Sequence, residues 1–362
     1  MCWFALLLSV PYCLLLLVIY KHLRGIKPFE SAGLPGVSVS VVTACRNEAE
    51  NIQDLLSDIA DQNYPPDKYE VIIIDDNSTD NTFRTASEYT GIKNLATIRN
   101  KGRGKKEAIK TGVSRASGEL IIATDGDCRA GPEWISSIAQ FYDKYKPDLI
   151  ICPVTIEAGQ GFVRIFQELE FLSLQGITAG TAAAGFSTMC NGANMAFTRK
   201  IYTCHAGNLH PEIDSGDDIF LLHSIKKDKN AKIRWLESHK ALVTASPADT
   251  IRAFLIQRKR WISKSRAYRD IFTILLAAVT FAITVAQAGT LILAIINYRY
   301  ALLFLMVFLL KSVPDFLILR NTTRRYGREP LMKWFLPSQI IYPFYVFSVA
   351  LLAAAGGKKP AG

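Results

Sequence analysis

The cysteines of this 362-residue chain show no C-x-x-C spacing, so the sequence lacks the ligand pattern of a structural zinc site. Their scattered positions also argue against the disulfide framework of a small secreted domain. The seven cysteines are Cys2, Cys13, Cys45, Cys128, Cys152, Cys190 and Cys204. We expect them to be reduced thiols, most of them buried.

The chain carries a net charge of +10, yet it lacks the elements with which proteins read nucleic acids. Neither an aromatic-studded basic strand nor a recognition helix accompanies the charge. The basic residues instead lie beside apolar segments, at 21–27, 252–269 and 320–328. This placement is typical of charge at a membrane surface, so we expect a membrane partner and no nucleic acid.

The first apolar segment, residues 2–20, lacks the order of a cleaved signal peptide, which carries its charges before the apolar core. Here the basic residues follow the apolar core instead. We therefore expect a retained transmembrane anchor over 1–26, with its basic flank in the cytosol and its amino terminus outside. A linker that contains proline and glycine is expected over 27–36.

The carboxyl-terminal region, 266–362, is predicted to hold about three apolar segments in a multi-pass protein of the plasma (inner) membrane. Residues 271–296 and 300–319 are long enough to form a hairpin of two spans, and 331–355 is the third segment. The prolines within this third segment could divide it into an interfacial piece and a shorter span, which leaves the last crossing open.

Lys311 and Asp315 are four residues apart within the second arm of this hairpin. Charged residues inside a membrane span are costly unless they are paired. We expect Lys311 and Asp315 to form an ion pair that faces other helices of the protein and not the lipid. The alternative is a path for proton transfer.

Between these regions, residues 37–265 form the predicted catalytic domain. Strands and helices alternate across 37–155, which predicts an α/β fold with a doubly wound, mostly parallel sheet in the cytosol. Two apolar strands end in acids, one at Asp75-Asp76 and the other at Asp125-Gly126-Asp127. Parallel strands bring such acids to one edge of the sheet, where hard oxygen ligands suit Mg²⁺ or Mn²⁺ shared with phosphates. The alternative is a set of polar turns that only close the strands.

Two further segments are candidates for the same site. The glycine-relaxed basic loop 100–106 could wrap an anion, although it lacks P-loop spacing, and the alternative is a solvated turn. Asp217 and Asp218 follow Gly216 at the start of a predicted helix, where the alternative is simple helix capping.

Taken in order, these motifs resemble those of the membrane-bound family 2 glycosyltransferases, a superfamily that includes ceramide glucosyltransferase-like enzymes and hyaluronan and cellulose synthase-like enzymes. The resemblance covers 37–270 and is followed by apolar segments. It implies a GT-A fold, a nucleotide-diphosphate sugar donor and inversion at the anomeric carbon. The matching motifs are 43–51, Asp75-Asp76, Gly104-Lys105-Lys106, Asp125-Gly126-Asp127, Gly216-Asp217-Asp218 and Gln257-Arg258-Lys259-Arg260-Trp261.

The resemblance also assigns roles to single residues. Asp76 with Thr43 would hold the nucleotide base, with Asp75 as the fallback, and Lys105 would approach the donor phosphates. Asp125 and Asp127 match the metal-and-ribose motif, with Asp127 as the direct ligand. Asp218 matches the catalytic base beside Asp217, which stands where relatives more often have glutamate. Gln257, Arg260 and Trp261 match the Q-x-x-R-W motif, which closes over the diphosphate and the acceptor end.

We therefore expect a hexosyltransferase that uses Mg²⁺ or Mn²⁺ and moves a sugar from a UDP-sugar to a membrane lipid, forming a β-glycoside. About four transmembrane segments offer little material for a translocation channel, which favours a lipid acceptor over a growing glycan. The first alternative is a processive polysaccharide synthase of the hyaluronan or poly-N-acetylglucosamine kind. The second is an inactive nucleotide-binding membrane scaffold. Such a protein would be expected to lack some of the metal-binding acids, the candidate base or the basic residues that hold the diphosphate.

Overall fold

The computed structural model describes residues 2–30, 33, 35–157, 159–210, 213 and 215–355. Their contacts divide the chain into two compact units. One unit comprises Met1–Gly25, Ala158–Thr188 and Pro247–Gly362, and the other comprises Ile26–Glu157 and Met189–Ser246. We call the first the helical unit and the second the α/β unit. This division differs from the sequence-based one, since 158–188 and 247–265 group with the apolar helices.

The strands of the described chain all lie in the α/β unit. They are β1 (Val39–Cys45), β2 (Tyr69–Asp75), β3 (Leu95–Arg99), β4 (Leu120–Asp125), β5 (Arg129–Ala130), β6 (Leu149–Ile151), β7 (Val154–Ile156), β8 (Asn194–Thr198), β9 (Ile233–Trp235) and β10 (Val243–Ala245). The helices alternate with the early strands and then dominate the carboxyl-terminal part. They are α1 (Cys2–Gly25), α2 (Ile52–Ala60), α3 (Thr82–Ser87), α4 (Lys105–Arg115), α5 (Trp134–Tyr145), α6 (Phe162–Ala183), α7 (Arg199–His205), α8 (Asp217–Ile225), α9 (Ile251–Ser263), α10 (Ile271–Ile296), α11 (Ala301–Arg325) and α12 (Phe335–Ala355).

Seven of the described strands form the main sheet, in the order β3-β2-β1-β4-β8-β6-β9. The first four are parallel to one another, and β8 runs antiparallel to both of its neighbours. Strands β1, β2 and β4 are apolar runs with many β-branched residues and are almost wholly buried, as expected for strands covered on both faces. The predicted α/β fold with a mostly parallel sheet is confirmed.

The strand order reverses direction between β1 and β4, because β2 and β3 extend the sheet on one side of β1 and β4 begins the other. Open α/β sheets bind ligands outside the carboxyl ends of the strands at such a reversal. The parallel register sets Cys45 opposite Asp75 and Ala44 opposite Asp125. The sequences that follow β2 and β4 therefore emerge at the same edge, on either side of β1.

In the helical unit, four helices of the described chain are long and apolar enough to cross a membrane. These segments are Ala5–Gly25, Ile271–Ile296, Tyr298–Arg325 and Glu329–Ala355. Helix α12 continues through Pro343, so the last apolar segment is one helix instead of two pieces. The expectation of apolar helices at both ends of the chain is confirmed.

The Lys311–Asp315 pair is present as the sequence predicts, with 2.7 Å between Nζ of Lys311 and a carboxylate oxygen of Asp315. The amino group of Lys311 also donates to the side-chain oxygen of Gln339 at 2.8 Å, and Tyr12 donates to the other carboxylate oxygen of Asp315. Lys311 is 1% exposed, so this pair is buried among α1, α11 and α12. Burial with full pairing is the arrangement that makes such charges tolerable in a membrane span.

Among the cysteines whose side chains are described, all are free thiols, as expected. Cys45, Cys128 and Cys152 are buried, whereas Cys204 is exposed.

Candidate active site

The Asp76 side chain fixes the basic loop that precedes α4. Both of its carboxylate oxygens lie 2.9 Å from the backbone nitrogen of Gly104, which donates to them, and the Asn100 side chain donates to one of them at 2.8 Å. Gly104 adopts a φ of +92°, which a residue with a side chain rarely tolerates. This turn places Lys105 at the first position of the helix.

Asp75 and Thr43 lie on the neighbouring strands β2 and β1 and are fully buried, at 0% exposure each. Neither oxygen of the Asp75 carboxylate has a hydrogen-bond partner among the described residues, and the Thr43 hydroxyl also has none. A buried carboxylate without partners is costly, and such groups occur mainly where a site requires them. Of the two adjacent acids, Asp76 therefore supports the loop, while the carboxylate of Asp75 is not committed to any described contact.

Lys105 is the central cation of the site. Its ammonium forms an ion pair with Asp125, at the end of β4. Burial alone would lower the pKa of Lys105, but the nearby carboxylates of Asp125, Asp217 and Asp218 outweigh burial and raise it. Lys105 is thus held in its charged form among three acids from two separate elements.

Gly192 makes this convergence possible. A Cβ atom at position 192 would lie 3.3 Å from Nζ of Lys105, 3.5 Å from a carboxylate oxygen of Asp217 and 3.5 Å from Cβ of Asp218. The first of these separations is tighter than ordinary van der Waals contact. A side chain at this position would therefore displace the charged groups that meet there.

Asp217 and Asp218 begin α8, directly after Gly216, whose φ is +92°. One oxygen of Asp218 accepts a hydrogen bond from the backbone of Ile219 at 2.7 Å, and the other accepts from the backbone of Gly192 at 3.1 Å. Burial raises the pKa of Asp217, and Asp218 and Asp125 add to this effect, whereas Lys105 opposes it. The two acids thus differ, because Asp218 is oriented by backbone donors and Asp217 faces Lys105 and the other acids.

His210 and Asp214, which precede α8, are the next candidates for the base if neither of these acids serves. His210 is described and its ring packs on Phe220, with 4.7 Å between ring centroids. Asp214 lies outside the described residues.

Asp127 lies close enough to Asp125 for their charges to interact. Burial raises the pKa of Asp127, and the charge of Asp125 raises it further. A bound cation would relieve this repulsion. Within the described chain, no group of three or more His, Cys, Asp or Glu side chains is placed to hold a metal ion.

Glu48 is a neighbour of this site that the sequence did not reveal. A Cβ atom on Gly126 would lie 3.0 Å from Cγ of Glu48 and 2.9 Å from Sγ of Cys45, so both residues pack against the centre of the Asp125-Gly126-Asp127 turn. Burial raises the pKa of Glu48, and the charges of Asp127 and Asp125 raise it further. Glu48 is 77 residues from Asp125 in the chain, and no local pattern marks the contact.

The residues of the Q-x-x-R-W motif lie on α9, in the helical unit. Gln257 and Trp261 are half-buried and Arg260 is exposed. In the α/β unit, by contrast, the structure brings together Lys105, Asp125, Asp217 and Asp218, as the motifs predict for one site.

A model of the family described as glycosyl transferase family 2 matches residues 40–204, the segment that contains most of this geometry. Residues 40–204 are a family 2 glycosyltransferase domain. The motifs Gly216-Asp217-Asp218 and Q-x-x-R-W lie beyond the matched segment.

Curated relatives share parts of the chain. Glycosyltransferase AglE of Haloferax volcanii is 38% identical over 99 residues, which cover 27% of this chain and 33% of that protein. Beta-monoglucosyldiacylglycerol synthase of a Nostoc species is 26% identical over 247 residues, which cover 67% of this chain and 50% of that protein. The chain thus matches a third to a half of the length of these relatives.

Among solved structures, mannosyltransferase PcManGT from Pyrobaculum calidifontis, in complex with GDP-Man and Mn²⁺, resembles the whole chain. The TM-score is 0.58, the sequence identity is 19%, and the alignment covers 99% of each chain. At this level of identity the likeness shows a common GT-A-type fold.

Proposed function

We propose that this protein is an inverting glycosyltransferase that transfers a sugar from a UDP-sugar to a membrane lipid and forms a β-glycoside. The observation that carries the proposal is the convergence of Lys105 with Asp125, Asp217 and Asp218 at the carboxyl edge of the sheet. A site for sugar transfer needs charge to hold a diphosphate and a carboxylate to accept a proton. Both groups occur here within one cluster.

We assign binding of the nucleotide base of the sugar donor to Thr43 and Asp76, with Asp75 as the fallback. The contacts of Asp76 with Gly104 and Asn100 give it a second role, which is to shape the loop that positions Lys105. The unpartnered oxygens of Asp75 support its place as the fallback, because a buried carboxylate of this kind gains from any ligand that donates to it.

A divalent cation fits the acids at the end of β4. Mg²⁺ and Mn²⁺ are commonly held by one or two carboxylates together with substrate phosphates, so the two acids Asp125 and Asp127 are enough once a diphosphate supplies further oxygens. Of the two, Asp127 is the proposed direct ligand, since Asp125 already pairs with Lys105. A bound cation would neutralise charge that develops on the departing diphosphate.

The incoming hydroxyl must lose a proton, and we assign this step to Asp218. Backbone N–H groups orient its carboxylate and so fix the direction from which it would accept the proton. Attack on the face opposite the diphosphate inverts the anomeric carbon, which converts an α-linked donor into a β-glycoside. The family resemblance assigns Lys105 to the donor phosphates and assigns Gln257, Arg260 and Trp261 to the diphosphate and the acceptor.

The lipid acceptor is supported by two observations. Four helices of the described chain are long and apolar enough to cross a membrane, and the Nostoc relative is named as a synthase of monoglucosyldiacylglycerol. We place the protein in the plasma (inner) membrane, with the α/β unit on the cytosolic side where nucleotide sugars are made.

The test is incubation of membranes that contain the protein with a panel of radiolabelled nucleotide sugars, Mn²⁺ or Mg²⁺, and a total lipid extract. We expect one UDP-sugar to label a product that extracts into organic solvent and depends on the added lipid. Asp218→Asn serves as the inactive variant. Asp228→Asn, which changes an exposed acid just after α8, serves as the matched control and should retain activity.

Each other outcome of this assay has a definite meaning. A long labelled polymer formed from donor alone would replace the lipid acceptor with a processive synthase. Labelling from a GDP-sugar alone would change the proposed donor. If every donor stayed unused while nucleotide still bound, the inactive scaffold would be the correct interpretation.

A further inference from the structure

Helix α9 turns one narrow face inward. Its only buried residues are Phe254 and Arg258, which are four positions apart and lie on the same side of the helix. Arg258 is one of the two variable positions inside Q-x-x-R-W, to which the family resemblance assigns no role. Its side chain is only 4% exposed, whereas Arg260 of the same motif is exposed.

Arg258 is buried because it pairs with Glu170 of α6. Nε of Arg258 lies 3.1 and 3.2 Å from the two oxygens of Glu170, and Nη2 lies 2.5 Å from one of them. Tyr345 of α12 donates to the same carboxylate at 3.0 Å, and its ring stacks on Phe254. Three helices of the helical unit therefore fix the position of one guanidinium group.

The same guanidinium group also contacts two residues of the Q-x-x-R-W motif. Nη1 donates to the side-chain oxygen of Gln257 at 2.5 Å, and the guanidinium carbon lies 4.1 Å from the ring centroid of Trp261. Arginine has only donors, so Gln257 must present its oxygen to Arg258. The amide N–H₂ group of Gln257 is thereby turned away from Arg258, in the orientation that suits an anionic ligand such as a phosphate oxygen.

We propose that Arg258 is a positioning residue, which fixes the Gln257 amide as an outward donor and holds the Trp261 ring, through its anchor on Glu170. This inference rests on the proposed function, because Gln257 and Trp261 are assigned there to the diphosphate and the acceptor. Lysine cannot replace arginine in this role. A single ammonium group cannot pair with Glu170, donate to Gln257 and contact the Trp261 ring at the same time.

The first measurement compares Arg258→Lys with Arg252→Lys, which makes the same change at an exposed position of α9. We expect Arg258→Lys to lower kcat/KM by roughly 10- to 100-fold, the range seen when a residue that orients a site is changed. The loss should appear in both the KM for the nucleotide sugar and kcat. Arg252→Lys should stay within about twofold of the unaltered enzyme.

The second measurement separates positioning from folding. In Glu170→Gln/Arg258→Gln both charges are removed together, so neither is left buried without its partner. We expect this double variant to recover most of the melting temperature lost by Arg258→Gln alone while its activity stays low. Recovery of both quantities would overturn the proposal and leave Arg258 a purely structural residue.

The third measurement does not depend on turnover. The emission of Trp261 is obtained by difference. The spectrum of Trp261→Phe is subtracted from that of the unaltered protein, and the spectrum of Trp261→Phe/Arg258→Lys is subtracted from that of Arg258→Lys. We expect a red shift and stronger acrylamide quenching of Trp261 in Arg258→Lys, because the guanidinium no longer covers the ring. Unchanged emission would contradict the proposal. If the unaltered protein used no sugar donor but this shift still occurred, the proposed function would fail while the positioning by Arg258 would stand.

Discussion

At the scale of single residues, the two acids that begin α8 have different surroundings. Asp218 accepts a backbone hydrogen bond on each oxygen, whereas the pKa of Asp217 is raised chiefly by its burial. A proton acceptor needs a fixed direction, and backbone donors provide that direction for Asp218. This difference supports our proposal that Asp218 is the base.

We expect Asp218→Asn to reduce turnover by about 10²- to 10⁴-fold, the range for loss of a general base. Donor affinity should change little, because the amide oxygen can retain one of the two backbone hydrogen bonds. Steady-state kinetics and nucleotide binding on the purified variant test this. Asp217→Asn should mainly affect stability or the position of Lys105. Turnover by Asp218→Asn within a few-fold of normal, with Asp217→Asn inactive, would exchange the two roles.

Asp127→Asn should weaken binding of the donor in the presence of Mn²⁺ while the protein stays folded. Without a cation the substitution should not lower the melting temperature, because it removes a carboxylate whose ionisation burial and Asp125 already disfavour. Calorimetric titration with UDP and Mn²⁺, set against Asp228→Asn, measures the change. Full activity of Asp127→Asn in the presence of a chelator would remove the metal from the mechanism.

At the scale of secondary-structure elements, Glu70 of β2 connects the start of β1 to the segment that precedes β4. One of its oxygens accepts hydrogen bonds from the Ser40 hydroxyl at 2.6 Å, from the Ser117 backbone at 2.6 Å and from the Ser117 hydroxyl at 2.7 Å. Partial burial opposes ionisation of Glu70, but these hydrogen bonds outweigh burial and lower its pKa. Glu70 therefore stabilises the strands that carry the site.

Glu70→Gln should lower the melting temperature by a few degrees at about pH 7. The pKa of Glu70 is lower in the folded than in the unfolded chain. Its charge therefore stabilises the fold fully when the pH is above the pKa of the unfolded chain, and this stabilisation is lost as the pH falls through the pKa of the folded chain. The difference from the unaltered protein should therefore shrink as the pH falls below about 4.5, the ordinary pKa of a glutamate. Glu88→Gln, at an exposed ion pair with Arg84, is the control and should have little effect at any pH. A deficit for Glu70→Gln that stays constant with pH would show that its charge is irrelevant.

At the scale of the whole molecule, the distribution of basic residues predicts which loops face the cytosol. We expect residues 320–328, at the end of α11 and just after it, to be cytosolic and the short turn between α10 and α11 to be outside. Arg324→Cys should resist a membrane-impermeant thiol reagent applied to intact cells, whereas Tyr298→Cys should react, since Tyr298 is 80% exposed. Native Cys204 is exposed in the α/β unit and should react only after permeabilisation. Labelling of Arg324→Cys in intact cells would reverse the proposed topology.

Local patterns were sufficient to predict β2 and β4 and the acids at their ends. The apolar runs that become β2 and β4 end at Asp75 and Asp125, and the parallel register brings both to one edge. The apolar helices followed from length and composition, and the spacing of Lys311 and Asp315 was enough to predict their contact. These features depend on periodicity and on neighbours within a few residues, which a sequence displays directly.

Only the tertiary structure decided which distant residues complete the site and its supports. Lys105 pairs with Asp125, Gly192 donates to Asp218, and Glu48 packs against Gly126, although each pair comes from separate segments of the chain. Arg258 likewise lies within a recognised motif, but its partner Glu170 is 88 residues away. Such contacts depend on how helices and loops pack after the strands have paired, and packing is set by the shape and charge of surfaces that no local pattern contains.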